Sequence, residues 1–91
     1  MNEMNQKKLY VWRLASFLHQ HDKTMSGDEL AAHLNRNNFL TGYGEEYQGG
    51  RGTYTLIREA WRWVHDELAL EDEATKIAES FVKADGTFAY E

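Results

Sequence analysis

The stretch "TYTLIREAWRWVHDEL", residues 53–68, combines an apolar stripe with a polar opposite face. Its apolar residues fall at positions i, i+3, i+4, i+7 and i+11, which is the spacing of one helix face that packs on a core. They are Ile57, Ala60, Trp61, Val64 and Leu68. The spacing predicts a helix over residues 54–68, with the preceding Thr53 able to cap its N-terminus. The opposite face carries Thr55, Arg58, Arg62 and His65.

Two further helices are predicted before this stretch. Apolar residues at helical spacing predict the first helix over residues 7–21, and these residues are Tyr10, Val11, Leu14, Phe17 and Leu18. Ser26 followed three residues later by Glu29 is a capping box, which predicts that a second helix starts there and spans residues 27–36. The asparagines Asn37 and Asn38 then favour a left-handed end.

The segment between the second and third helices, residues 38–52, contains five glycines and two tyrosines without periodicity. It reads as a loop of about 14 residues, a length that is uncommon in small domains and often functional. It does not match a phosphate-binding P-loop, which needs a lysine and a preceding strand. In addition, Glu45 and Glu46 stand where the phosphate would lie.

The C-terminal part begins with an acidic segment, which is followed by two runs of residues with the alternating pattern of β-strands. Residues 72–79 predict a short helix, and Asp85-Gly86 between two alternating runs predicts a hairpin over residues 81–90 with a two-residue type I′ turn. Phe81, Phe88 and Tyr90 are expected to share one face of it. The chain is therefore predicted to be one domain, residues 1–91, mainly α with a small β-hairpin.

Composition limits the function classes. The chain has no cysteine, and no apolar run is long enough to span a bilayer, so a soluble, cytoplasmic protein that contacts no membrane is expected. His19 and His21 point apart on a helix, and no base stands beside a nucleophile in a recognisable motif. We therefore expect no metal site, no cofactor and no enzymatic activity.

The net charge is −5, which by itself disfavours nucleic acid as a partner. The acidic residues are, however, unevenly distributed along the chain. Residues 1–65 hold eight Lys and Arg against seven Asp and Glu, whereas residues 66–91 hold two against eight. Arg58 and Arg62 form a like-charge pair one helical turn apart, which favours an anionic partner. The competing interpretation is that Arg62 pairs with Asp66 and the face is only solvated.

The order helix, helix, helix, hairpin is that of a winged helix-turn-helix domain, and three motifs resemble the DNA-binding domain of GntR-type transcription regulators. They are "GDELAAHL" at residues 27–34, "TYTLIREAWRWVHDEL" at residues 53–68 and "GTF" at residues 86–88. The resemblance implies a three-helix winged-helix-like domain with a C-terminal wing. It also implies that the third helix enters the major groove while Lys83 and Thr87 on the wing touch the DNA backbone or minor groove.

The leading hypothesis is a small DNA-binding protein, a transcriptional regulator or accessory factor, that acts as a homodimer. Its predicted DNA-binding residues are Arg51, Thr53, Thr55, Arg58, Arg62, Lys83 and Thr87. The alternative is a winged-helix module that binds a protein partner and no nucleic acid. That module would present Trp63, Leu56 and the loop tyrosines, since aromatic residues are enriched at such interfaces.

Overall fold

The computed structural model describes residues 3–48, 50–83 and 85–89, with the side chains of residues 3, 4, 50 and 51 excepted. In the described part, the fold is mainly helical with a small two-stranded parallel sheet. The elements in chain order are α1 (Glu3–Gln20), β1 (Met25–Ser26), α2 (Gly27–Arg36), α3 (Gly50–Arg62), a π-helical turn (Trp63–Glu67), α4 (Glu71–Ser80) and β2 (Phe81–Val82). No helix among the described residues has the length and apolar character needed to cross a membrane.

The helix α1 begins four residues earlier than the predicted start at residue 7 and buries a narrower face than predicted. Val11, Ala15 and Leu18 are buried, whereas Phe17 is 54% exposed and its ring lies 4.4 Å from that of His21. The prediction that Phe17 points into the core is wrong. The buried stripe instead runs along Val11 and Ala15, where the Ser80 hydroxyl of α4 donates to the Ala15 carbonyl at 3.1 Å.

The helix α2 spans the same residues as the sequence-based prediction. The Ser26 Oγ accepts a hydrogen bond from the Glu29 amide at 3.1 Å, which satisfies one of the free N–H groups of the first turn. At the other end Asn38 has a φ of 62°, in the left-handed region that ends helices. The amide of Phe39 then donates back to the Leu34 carbonyl at 3.0 Å.

The helix α3 begins at Gly50, four residues before the predicted start at residue 54, so the loop is shorter than expected. Thr53 consequently lies inside the first turns of the helix and not at its cap. Its side chain is fully buried and its hydroxyl donates to the Gly27 carbonyl of α2 at 3.1 Å. The predicted cap at Thr53 is wrong, because the helix already begins at Gly50 and Thr53 lies within it.

The core lies where α1, α2, α3 and α4 meet. Its largest fully buried apolar side chains are Leu30, Leu34, Ile57, Ile77, Phe81, Val11 and Val64. The predicted helix 54–68 continues past Arg62 as the π-helical turn, in which the Leu68 amide donates to the Trp63 carbonyl at 3.1 Å. Ala69, with a φ of 55°, ends this segment and redirects the chain into α4. Leu68, predicted to lie on the apolar stripe, immediately precedes that bend and is 38% exposed.

The strand β2 pairs first with a distant segment and only secondarily with the C-terminal residues. It runs parallel to β1, with Met25 opposite Phe81 and Ser26 opposite Val82. An antiparallel bridge joins Val82 to Phe88, and the Ala89 amide donates to the Phe81 carbonyl at 2.8 Å. The two strands thus tie the start of α2 to the end of α4.

The C-terminal turn is one residue longer than predicted. The Lys83 amide donates to the Thr87 carbonyl at 2.8 Å, and the Gly86 amide donates to the Lys83 carbonyl at 3.0 Å, so three residues separate the closing pair. Gly86 has a φ of 88°, which suits the last position of a three-residue loop. The two-residue type I′ prediction is therefore wrong. Phe81 is buried and Phe88 is 37% exposed, so the two do not share a face, and Tyr90 lies outside the described residues.

Candidate nucleic-acid interface and the adjoining loop

The outward face of α3 carries Thr55, Arg58 and Arg62, which we call the α3 ridge. All three side chains are exposed, and their spacing of three and four residues aligns them along the helix. Arg51 belongs to the first turn of α3, but its side chain lies outside the described residues. Thr53 faces the opposite way and is buried, so it is removed from the predicted DNA-binding set.

The two arginines of the ridge are not neutralised by the acids nearest them in sequence. Among the residues that the structure describes, no ion pair involves Arg58 or Arg62. Asp66, the predicted partner of Arg62, lies instead 2.7 Å from His65, measured from Oδ1 to Nδ1. The interpretation that Arg62 pairs with Asp66 is therefore wrong. The helix changes to a π-helical turn after Arg62, which alters the spacing that the pairing assumed.

The surroundings of the ridge differ between its two ends. Arg62 borders a shallow depression that also contains Lys8 of α1 and three carboxylates. These carboxylates belong to Glu59, Asp66 and Glu67. Near the other end, the Lys83 ammonium lies 5.9 Å from the ring centroid of Tyr54, which is one helical turn from Arg58. The Arg58 end of the ridge thus lies near a further cation, whereas the Arg62 end lies beside three carboxylates.

The C-terminal turn, residues 83–87, carries Lys83 and Thr87, the two residues to which the winged-helix resemblance assigns DNA contacts. Thr87 is exposed, and its hydroxyl and amide both bond Asp85 Oδ1, at 2.7 and 3.0 Å. These bonds hold the pKa of Asp85 below its ordinary value, so the carboxylate stays ionised at neutral pH. The tip of the turn therefore carries one negative charge beside the Lys83 ammonium.

Residues 37–48 form the loop before α3, and polar contacts fix it to the body of the protein. Asn35 of α2 holds Tyr47 through two bonds of 2.8 Å, accepting its amide and donating to its carbonyl. The buried Lys7 ammonium donates to the Leu40 carbonyl and, at 3.2 Å, to the Tyr47 hydroxyl. The glycine-rich segment is therefore anchored at both ends.

The residues predicted to meet a protein partner are mostly inside the protein. Leu56 and Tyr47 are buried, and Trp63 packs edge-on against Trp12 with ring centroids 6.1 Å apart. That prediction is wrong for Leu56 and Tyr47, which are buried, whereas Trp63 is half-buried against Trp12 of α1. Tyr43, the other loop tyrosine, is 95% exposed.

A cleft of about 530 Å³, here called the loop cleft, lies between loop residues 41–48 and α3. Lys7 of α1 also lines it, together with four residues of α3, which are Gly52, Thr55, Leu56 and Glu59. Sequence reasoning missed this cleft, because Lys7 and Glu59 carry no local signal that they lie beside the loop. The loop's length and glycines were the available signal that it has a specific role.

Histidine and acidic side chains do not converge on a metal-binding arrangement in the described part of the chain. His21 packs beside Phe17, and the ring of His65 stacks on that of Trp61 with centroids 4.6 Å apart. His19 lies in the last turn of α1, and His21 follows the end of the helix.

Comparisons with known proteins add no assignment. No protein-family model matches the chain, and neither a search of curated proteins nor a search of solved structures found a match. The geometry of the α3 ridge and of the loop cleft therefore provides the basis for a functional proposal.

Proposed function

We propose that this chain is a winged-helix DNA-binding domain that places the α3 ridge in the major groove. The observation that carries the proposal is the alignment of Thr55, Arg58 and Arg62 on one exposed face, where neither arginine forms an ion pair with a residue that the structure describes. An arginine at such a position can bond a guanine edge with two N–H groups or neutralise a phosphate. In this proposal, the α3 ridge makes the contacts to the base edges of the DNA.

The C-terminal turn acts as the wing. Lys83 lies on the Arg58 side of α3, so a duplex against the ridge would also meet its ammonium. The Thr87 hydroxyl is already bonded to Asp85, so its contact to DNA is the weakest of the predicted set. The wing contributes one phosphate contact, through Lys83, and sets the register of the helix.

A single domain of this kind buries about 600 to 1,000 Å² on DNA, which favours two copies on adjacent half-sites. The proposed role is a transcriptional regulator or an accessory factor, and it requires no cofactor. The net charge of −5 makes binding depend on the local positive charge of α3 and the wing.

The test is the salt dependence of binding to a labelled mixed-sequence duplex of about two helical turns. The double variant Arg58→Ala, Arg62→Ala should bind more weakly, and the slope of log K against log salt should fall by about two units. Arg13→Ala, Arg36→Ala is the matched control, because it removes two exposed arginines from α1 and α2.

Equal slopes for the two double variants would show that the ridge is not the contact surface. Absence of any salt-dependent binding by the unchanged protein would overturn the DNA proposal altogether. The mass of the complex, measured in the same series, should correspond to two protein copies per duplex.

A further inference from the structure

Tyr43, the exposed tyrosine of the loop, lies at the tip of a hydrogen-bonded turn. The Thr41 hydroxyl oxygen accepts from the amides of Tyr43 and Glu45, both at 3.3 Å. The Thr41 amide donates to the Glu45 carbonyl at 2.7 Å, and the Gly44 amide donates to the Thr41 carbonyl at 2.9 Å. These four bonds close a tight turn whose tip carries Tyr43.

The glycines on either side of Tyr43 leave its ring uncovered. A Cβ atom placed on Gly42 or Gly44 would meet nothing within 4 Å, and Gly44 has a φ of 77° that glycine adopts without strain. With 95% of its surface exposed, Tyr43 contributes almost nothing to the core. A rigidly presented aromatic side chain has the low ordering cost that favours an anchor in a partner's surface.

The charge of the loop cleft identifies the kind of partner. Glu45, Glu46 and Glu59 line it, and the first two are exposed to solvent. Lys7 is the one basic residue in its described lining. Three carboxylates against one ammonium give the described lining more negative than positive charge.

We propose that the loop cleft is a docking site for a basic segment of a partner protein. An arginine or lysine of that segment lies over the Tyr43 ring and reaches the carboxylates of Glu45 and Glu59. The ring face attracts a cation through its quadrupole, and the carboxylates accept the guanidinium N–H groups. Nucleic acid is disfavoured here, since its phosphates would face three carboxylates.

This site adjoins the α3 ridge but does not depend on the DNA proposal. Thr55 belongs to the ridge and also lines the cleft, and Glu59 lines both the cleft and the depression beside Arg62, while Glu45 and Glu46 lie on the loop and Lys83 lies beside Tyr54. The two surfaces therefore differ in the sign of the charge that they select. A chain that binds DNA through one could carry a basic protein on the other.

The experiment is an NMR titration of the full chain with the peptide Gly-Ser-Arg-Gly-Ser-Arg-Gly-Ser, which detects weak binding by amide shifts. The amides of residues 41–48 and of Glu59 should move together and saturate. Tyr43→Ala should weaken binding about tenfold and Tyr43→Phe should largely retain it, because the ring supplies the cation contact. The same peptide with citrulline in place of arginine should not bind.

A matched pair of charge variants separates the site from general attraction to an acidic protein. Glu45→Gln, Glu59→Gln should weaken binding about tenfold. Glu71→Gln, Glu79→Gln removes the same charge from exposed positions of α4 and should change it less than about twofold.

Three results would overturn the proposal. They are no shift in residues 41–48 at saturating peptide, equal weakening by the two charge variants, and displacement of the peptide from these residues by a short single-stranded oligonucleotide. Thermal unfolding of each variant verifies folding, and Tyr43→Ala should leave the midpoint unchanged since the side chain is outside the core.

Discussion

The helical core and the loop of residues 37–48 are both ordered, but different forces hold them. In the core, Phe81, Ile57 and Leu30 are fully buried among other apolar side chains. In the loop, the polar groups of Asn35 and Lys7 hold the backbone, while Tyr47 lies in the core cluster and Phe39 packs against it. Burial of apolar area stabilises the first region, whereas hydrogen bonds made by distant residues add to the apolar contacts in the second.

This difference changes how each region responds to substitution. Removing a buried apolar side chain leaves a cavity that neighbouring helices cannot fill, which lowers the stability of the whole domain. Removing a polar anchor leaves the loop's own groups free to meet water, so the expected loss is smaller and local. The following predictions test this contrast.

The largest effect is expected for Phe81→Ala, which empties the centre of the core. Phe81 is fully buried, so the free energy of unfolding should fall by about 3 to 5 kcal/mol. For a domain of this size that loss approaches the whole stability. Urea unfolding followed by circular dichroism measures it.

The control for that prediction is Phe17→Ala, the same change at a position 54% exposed. It should alter the free energy of unfolding by less than about 1 kcal/mol, because little apolar area is lost and alanine favours helix. Comparable losses at Phe17 and Phe81 would contradict the description of the core.

An intermediate effect is expected for Asn35→Ala, which removes both bonds to Tyr47. The free energy of unfolding should fall by about 1 to 3 kcal/mol, because the Tyr47 amide and carbonyl lose their partners in a half-buried setting. Hydrogen exchange of the Tyr47 amide should accelerate more than that of amides in α4. Gln48→Ala, at an exposed position of the same loop, should leave exchange unchanged.

Uniform acceleration of exchange throughout the Asn35→Ala protein would show that the loop unfolds only together with the core. The contrast between the two regions would then be wrong. Acceleration of exchange confined to the loop would instead support the contrast, since the loop and the core would then open independently.

The smallest effect on stability is expected at Glu73, and it depends on pH. Hydrogen bonds from Lys76 and then from Trp12, the latter at 3.0 Å, hold the pKa of Glu73 below its ordinary value. A carboxylate with a lowered folded pKa stabilises the protein above its unfolded pKa, and that contribution is lost as pH falls through the folded value. The stability difference between the unchanged protein and Glu73→Gln should therefore shrink below about pH 5.

Thermal midpoints measured between about pH 7 and pH 3 test this sign. Glu79→Gln, at an exposed position of the same helix, is the matched control. A difference that grows on acidification would mean that Glu73 is not stabilised as a carboxylate in the folded protein.

The candidate sites differ in how far sequence could predict them. Thr55, Arg58 and Arg62 are predicted on one face of α3 because helical spacing alone aligns them. The loop cleft has no such local pattern. Lys7 meets Leu40 across 33 residues of sequence, and no periodicity connects a lysine in α1 to a carbonyl in the loop.

Local patterns are enough to predict the helices, the start of α2 at Ser26 and the turn near Gly86, because neighbouring residues control these features. Long-range contacts account for the rest. The parallel pairing of Met25 with Phe81 and the bond from Thr53 to Gly27 join segments far apart in the chain. Thr53 is buried and Tyr43 exposed for the same reason: packing between distant elements determines which side of a local element meets water.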